Sequence, residues 1–449
     1  MLFRGGRVVA PDGVRPLDVR VDGGRITEIG PALPLGHDRA VDLDGLHLLP
    51  GAIDPHGHQW EPGFTPAADF SDVTASAAVG GVTTLLDHPL TTPVVVDRQT
   101  FDAKAALGER TSIVDFGLHG GAAPDHIDDL AALWAGGATG IKVFTCRTGT
   151  PLDGFDDPER LEAAFRRLGA IDALALVHAE DAATLDRRHA ELEADGGGGI
   201  GDFDTWHSIE AEETAVERVL ELAATTGTRT YLVHASHPSI VDRARAAAQE
   251  GAVSVHVETC PHYLHLTDTD LRGGGGWLIT APPVRDALAR SGLRQRLAEG
   301  AIDTVGSDHC AISAAGKSGD RMEAIIPGVP GLDIYLPLVL DLVAEGAIDL
   351  PRLAEVTSRS PARIFGLPTK GAIEVGRDAD LVTVDLAATM TVRAEELPCS
   401  AGWSPYEARN LRGVVVDTWS RGERIVHHGR LEAGPGRGRL LRRSEGIHD

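Results

Sequence analysis

The stretch Leu49-Pro50-Gly51-Ala52-Ile53-Asp54-Pro55-His56-Gly57-His58 runs a short apolar segment into two histidines separated by one glycine. In an extended strand, residues i and i+2 point to the same face. The motif therefore predicts a strand that delivers two imidazoles to one spot, with Gly57 leaving room for close approach. A lone H-x-H fits a polar turn equally well, so the decision comes from the rest of the chain. Moving outward, short apolar strands are predicted to end near His58, Asp87, Leu118, Phe144, His178, His234, Glu258 and Asp308, alternating with Ala/Leu/Arg-rich helical stretches. Eight strands, each followed by enough chain for a helix, predict an α/β fold, a (β/α)8 TIM barrel over residues 51–366. Residues 210–224 set charges opposite Ala, Val and Leu at helical spacing, as an outer helix requires. The glycine runs at 196–199 and 273–276 read as loops after the fifth and seventh strands.

The flanks have a different texture. Residues 1–50 hold short β segments, Arg7-Val8-Val9, Asp18-Val19-Arg20-Val21 and Arg25-Ile26-Thr27-Glu28-Ile29, separated by Asp-Gly and Gly-Gly turns. The pattern returns at Asp380-Leu381-Val382-Thr383-Val384, Gly413-Val414-Val415-Val416 and Arg424-Ile425-Val426. The expected organisation is one small composite β-sandwich built from residues 1–50 and 367–449 around the central barrel.

Composition narrows the function. With 42 Lys+Arg against 66 Asp+Glu, the 449-residue chain carries a formal charge of −24, which disfavours binding to a nucleic-acid phosphate backbone. No apolar run approaches the roughly 18 residues of a membrane span, and the start lacks a signal-peptide core, so a cytoplasmic protein is expected. Cys146, Cys260, Cys310 and Cys399 form no C-x-x-C pair, against both a disulfide framework and a zinc ribbon.

The chemistry gathers at strand ends. His178 and His234 each follow an apolar strand, as do His56 and His58, and Asp308 closes the eighth in Val305-Gly306-Ser307-Asp308-His309. Functional groups of this fold sit at the carboxyl rim, so four histidines and a carboxylate there predict a metal site. Lys142, in Gly140-Ile141-Lys142-Val143-Phe144, ends the fourth strand. A bare ammonium would be repelled by two cations, whereas a lysine that has taken up carbon dioxide is an anionic bridge; the plainer reading is a lysine reaching outward to solvent.

These segments resemble the cyclic-amide branch of the amidohydrolase superfamily, with its allantoinases, dihydropyrimidinases or hydantoinases, and dihydroorotases. The likeness extends through Gly80-Gly81-Val82-Thr83-Thr84, Val177-His178-Ala179-Glu180, Glu258-Thr259-Cys260-Pro261-His262-Tyr263-Leu264, Ala281-Pro282-Pro283-Val284-Arg285, Gly376-Arg377-Asp378-Ala379-Asp380-Leu381 and Ser404-Pro405-Tyr406. It implies two divalent ions, zinc by expectation. His56, His58 and Asp308 would hold the more buried ion, His178 and His234 the other, with N6-carboxylysine at Lys142 between them. It implies a homodimer or homotetramer acting on a small cyclic amide or ureide, with Asp308 as general acid and base. Catalytically silent scaffold relatives share the fold but have lost metal ligands, and six retained ligands argue against that reading.

Substrate positions diverge. Trp60 stands two residues beyond H-x-H, where dihydroorotases have arginine and allantoinases asparagine; Arg147 stands five beyond the lysine, where hydantoinases have tyrosine. Residues 80–90 and Cys146-Arg147-Thr148-Gly149 look allantoinase-like. That family's methionine and asparagine are nonetheless replaced by His88 and by Thr91 or Thr92, and an Arg-Pro motif by Trp206-His207-Ser208. Allantoinase-like ring opening is the leading expectation, with hydantoinase-like or other cyclic-amide hydrolysis open. Trp60, Arg147, His119 and His237 are the candidate substrate contacts. His262 and His265 read as structural residues of the seventh-strand segment, and His189, His427 and His428 as surface.

Overall fold

The computed structural model describes residues 1–63, 68–251 and 253–444. Its centre is a ring of parallel strands, Ala52–Gly57, Val82–Asp87, Asp115–Leu118 with Gly120–Gly121, Ile141–Phe144, Leu174–His178, Arg229–Leu232, Val255–Thr259 and Thr304–Val305. Neighbours pair in chain order, and a parallel bridge between Gly57 and His309 closes the ring. Ile141–Phe144 and Leu174–His178 are buried along their whole length, because helices cover one face and the barrel interior the other. The helix expected over 210–224 spans Ile209–Thr226. Ser208 caps its start, and Gly227, in the left-handed region at φ 68°, ends it. Ala211, Ala215, Val219 and Ala223 form its buried stripe.

Two local expectations are corrected. His262 and His265 lie in a short helix, Pro261–His265, because Pro261 after the seventh strand cannot donate to a ladder but suits the first turn of a helix. Residues 273–276 are the end of the helix Asp268–Gly274 and the start of a 3-10 turn, Gly275–Leu278, joined where Gly275 takes φ 58°.

Both ends of the chain share a seven-stranded sheet, in the order Arg430–Leu431, Glu423–His427, Asn410–Ser420, Leu381–Thr391, His47–Pro50, Arg7–Ala10, Gly13–Arg15. A second sheet orders Arg25–Gly30, Asp18–Asp22, Leu2–Arg4 and Ala40–Asp42. Phe3, Val19, Ile26, Leu48, Leu381 and Trp419 pack together as the core of this unit. Pro50 pairs with Leu381 and the chain enters the first barrel strand two residues later. A buried ion cluster ties the sheet unit to the barrel: Lys370 Nζ lies 2.6 Å from Asp115, at the start of the third barrel strand, and 2.6 Å from Asp380. Among the described residues no helix is long and apolar enough to cross a membrane.

Candidate metal centre and its cavity

His56, His58, Lys142, His178, His234 and Asp308 come from five strand ends and line one cavity of 780 Å³. His56 Nε2 and His58 Nε2 lie 3.3 and 3.1 Å from the same Asp308 Oδ1. His178 Nδ1 faces His234 Nε2 at 3.0 Å. The charge of Lys142 acts on His56, His58, His178 and His234 alike in sign, lowering each. Its Nζ is 4.8 Å from the Phe144 ring centre, and among the described residues no carboxylate lies within ion-pair distance. Burial draws this ammonium down to about 8, against the pull of Asp308 and Glu258; a fraction of free amine is thus present near neutrality.

Burial lowers the imidazoles too, His56 to about 3 despite Asp308, which favours the neutral form that metals bind. His234 and Asp308 are held at φ 41° and 48°. For residues with a side chain this left-handed backbone costs energy, and two instances at one rim are strain placed where the side chains must converge.

Buried carboxylates behind the histidines set which ring nitrogen faces the cavity. Glu258 Oε1 lies 2.6 Å from His56 Nδ1 and accepts from the His234 amide at 3.0 Å, while its Oε2 accepts from Tyr231 Oη at 2.7 Å. Glu180 takes His178 Nε2 and His207 Nδ1, each at 2.8 Å. With the remote nitrogen carrying the hydrogen, the other presents a lone pair inward, the pattern of carboxylate–histidine–metal sites. Burial pushes the Glu258 carboxyl up to about 8. Burial also opposes ionisation of Glu180, yet His207 and His178 hold it well below the usual carboxylate range. Asp54 accepts from the amide and hydroxyl of Ser307 at 2.8 and 2.6 Å, pinning the eighth strand to the first.

Sequence reasoning missed these supports. Glu180 and Asp54 stand two residues from ligand histidines, and Glu258 ends its own strand, so same-face spacing was an available signal. His88 was noted only as a substitution; it stacks on His56 with ring centres 3.9 Å apart.

The four candidate substrate contacts separate. Trp60 and Arg147 line the cavity. Trp60 stacks on His58 at 5.3 Å; Arg147 is 82% exposed and reaches Asp156 at 2.6 Å. His119 and His237 are not on the cavity wall. His119 is buried between Pro55 O at 3.1 Å and Thr139 Oγ1 at 2.9 Å, and His237 caps the helix Pro238–Gln249 by accepting from the Ser239 amide.

The donor set fits divalent ions. His56 Nε2 is buried without a hydrogen bond, and the ligand atoms of His56, His58 and Asp308 all fall within 4.8 Å of one another. Neutral imidazole with carboxylate suits zinc and its neighbours better than calcium or magnesium.

The amidohydrolase family model matches residues 47–425. The chain belongs to the amidohydrolase family. It is an enzyme of that metal-dependent group. The allantoinase of Deinococcus radiodurans is 36% identical over 98% of both chains, and a dihydroorotase of Halobacterium salinarum is 36% identical over 89% of this chain and 90% of that protein. The solved L-hydantoinase of Arthrobacter aurescens superposes with a TM-score of 0.93 at 30% identity, covering 98% of this chain and 99% of that one.

Proposed function

We propose that the enzyme hydrolyses a carbon–nitrogen bond within a cyclic amide, opening a ureide ring in the manner of an allantoinase. The convergence of six donor side chains in one cavity, with Glu258 and Glu180 behind two of them, carries this reading. His56, His58 and Asp308 would hold one divalent ion, and His178 and His234 the other. Lys142, as its carbamate, would supply the shared anionic ligand. Two such ions supply Lewis acidity and bring the pKa of a bound water from 15.7 towards about 7. Asp308, at the rim among the ligands, takes the proton of the attacking water as the carbon–oxygen bond forms. It returns that proton to the nitrogen as the carbon–nitrogen bond breaks, giving a ring-opened acid.

The allantoinase reading is supported by relatives of that name at 36% identity. A hydantoinase-like reading is favoured by one observation. Leu90, Leu185, Phe203, Met322 and Ile325 give the cavity an apolar wall, and its volume lies in the range that holds drug-sized ligands. Ring-opening assays of the metal-loaded enzyme on allantoin, hydantoin, dihydrouracil and dihydroorotate decide between them. Elemental analysis should give close to two ions per chain; a metal-free, fully active preparation would refute the mechanism. A homodimer or homotetramer is part of the same proposal and is checked by sedimentation.

A further inference from the structure

His207 is an imidazole on the cavity wall that the metal centre does not use. It follows the short helix Phe203–Trp206 and is held on several sides. Its Nδ1 is 2.8 Å from Glu180 Oε1, its ring lies flat against Phe203 at 4.4 Å, and its carbonyl oxygen accepts from Arg285 Nη1 at 2.7 Å. Arg285 is itself occupied, its other nitrogens bonded to Ser236 Oγ and Glu212 Oε2.

A carboxylate only accepts, so His207 Nδ1 carries a ring hydrogen, which leaves Nε2 as the ring's remaining polar atom. Among the described residues Nε2 has no hydrogen-bond partner. The cavity lining includes the apolar side chains of Leu185, Phe203, Met322 and Ile325, and Phe203 stacks on the ring itself. A lone polar atom beside such side chains loses its water when a ligand enters, so it penalises any ligand part that brings no hydrogen-bonding group.

We propose that His207 determines substrate choice by forming, at Nε2, a hydrogen bond with a polar substituent of the ring. The inference rests on the cyclic-amide reading and refines it. The enzyme selects rings whose arm carries a ureido or carbamoyl group over rings whose arm is a hydrocarbon of equal size. Glu180 is the positioning residue: one buried carboxylate orients both this imidazole and the ligand His178.

The test compares allantoin, whose arm is a ureido group, with 5-isobutylhydantoin, in the metal-loaded full-length enzyme. His207→Asn keeps an amide donor for Glu180 and deletes the atom at Nε2; His207→Gln extends an amide towards the Nε2 position. Expected is a fall of about tenfold or more in kcat/KM for allantoin in His207→Asn, mostly through KM, the loss of one hydrogen bond at a desolvated polar atom. The isobutyl ring should change by less than about threefold, His207→Gln should recover part of the loss, and metal content by elemental analysis should match wild type. Wild type that opens only the isobutyl ring, or a His207→Asn variant that affects both rings alike or neither, overturns the assignment and leaves ring hydrolysis standing. Wild type that opens no cyclic amide overturns the proposed function, and the assignment with it.

Discussion

Replacing Glu258 by glutamine asks whether the carboxylates behind the histidines act on the metal or merely fill space. Glu258 Oε1 serves His56 Nδ1 and the His234 amide, and Oε2 serves Tyr231 Oη. A glutamine can keep its oxygen towards the first two. Its amide nitrogen then donates to the Tyr231 oxygen, whose own hydrogen turns to Thr304 Oγ1 at 2.5 Å. No buried group is stranded, so the cost to folding stays near about 1 kcal/mol. Above about pH 8, where Glu258 is ionised, the His56 contact changes from a charge-assisted bond to a neutral one of roughly half the strength. His56 becomes a poorer donor through Nε2, and metal affinity should fall about 10–100-fold, equivalent to about 1.4–2.7 kcal/mol. Competition with a graded chelator series reads that affinity directly. Glu258→Leu serves as contrast, because it strands two buried donors, His56 Nδ1 and the His234 amide, at about 1–3 kcal/mol each and should cost stability as well. A glutamine variant that holds its ions as tightly as wild type would refute the argument that Glu258 sets the His56 tautomer.

Lys142→Ala should lose metal and activity, and small carboxylic acids should restore part of both, since only an anionic bridge is missing; full activity without rescue would assign Lys142 a packing role. Asp308→Asn should keep the fold by circular dichroism and at least one ion while turnover drops by about 10² or more, and near-normal turnover would exclude Asp308 as the proton carrier. Lys317 is buried, its Nζ donating to Ile279 O at 3.0 Å, and burial draws it down to about 7. The unfolded chain keeps that proton to about 10.4, so between these values the unfolded state binds more protons and this group makes stability rise with pH. The stability of wild type relative to Lys317→Met, measured by denaturant at pH 7 and pH 9, should therefore shift in favour of wild type at pH 9; no shift would mean the folded lysine retains its proton.

The barrel and the residues that line its cavity were legible together because this fold puts its chemistry where strands end. His56, His58, Lys142, His178, His234 and Asp308 each close a short apolar run, so the signal for a strand and the signal for a cavity residue were the same residues. The contact between His207 and Glu180 was illegible for the opposite reason. The two are 27 residues apart, separated by the helix Ala182–Ala194 and a glycine-rich turn, and no periodicity fixes how such a loop folds back over the rim. His237 carried a readable local signal that was passed over: Pro238 follows it, and proline at the first helical position marks the preceding residue as a cap.

His119 shows where strand-end reasoning breaks down. It follows the third strand at the rim, as His234 follows the sixth, and by position alone it belongs in the cavity. The third strand, however, is interrupted: Asp115–Leu118 pairs with the second strand, Gly120–Gly121 pairs with the fourth, and His119 sits at the break. The first part of this strand takes a neighbour from the chain's own end, with Phe116 bridged to Leu440 and bonded to the backbone of Arg439 and Leu441. His119 finds Pro55 O and Thr139 Oγ1 and supports the backbone that carries His56. The same residue type at the same rim lines the cavity or supports it according to whether its strand runs straight. That depends on a pairing partner more than 300 residues away, which no local pattern encodes.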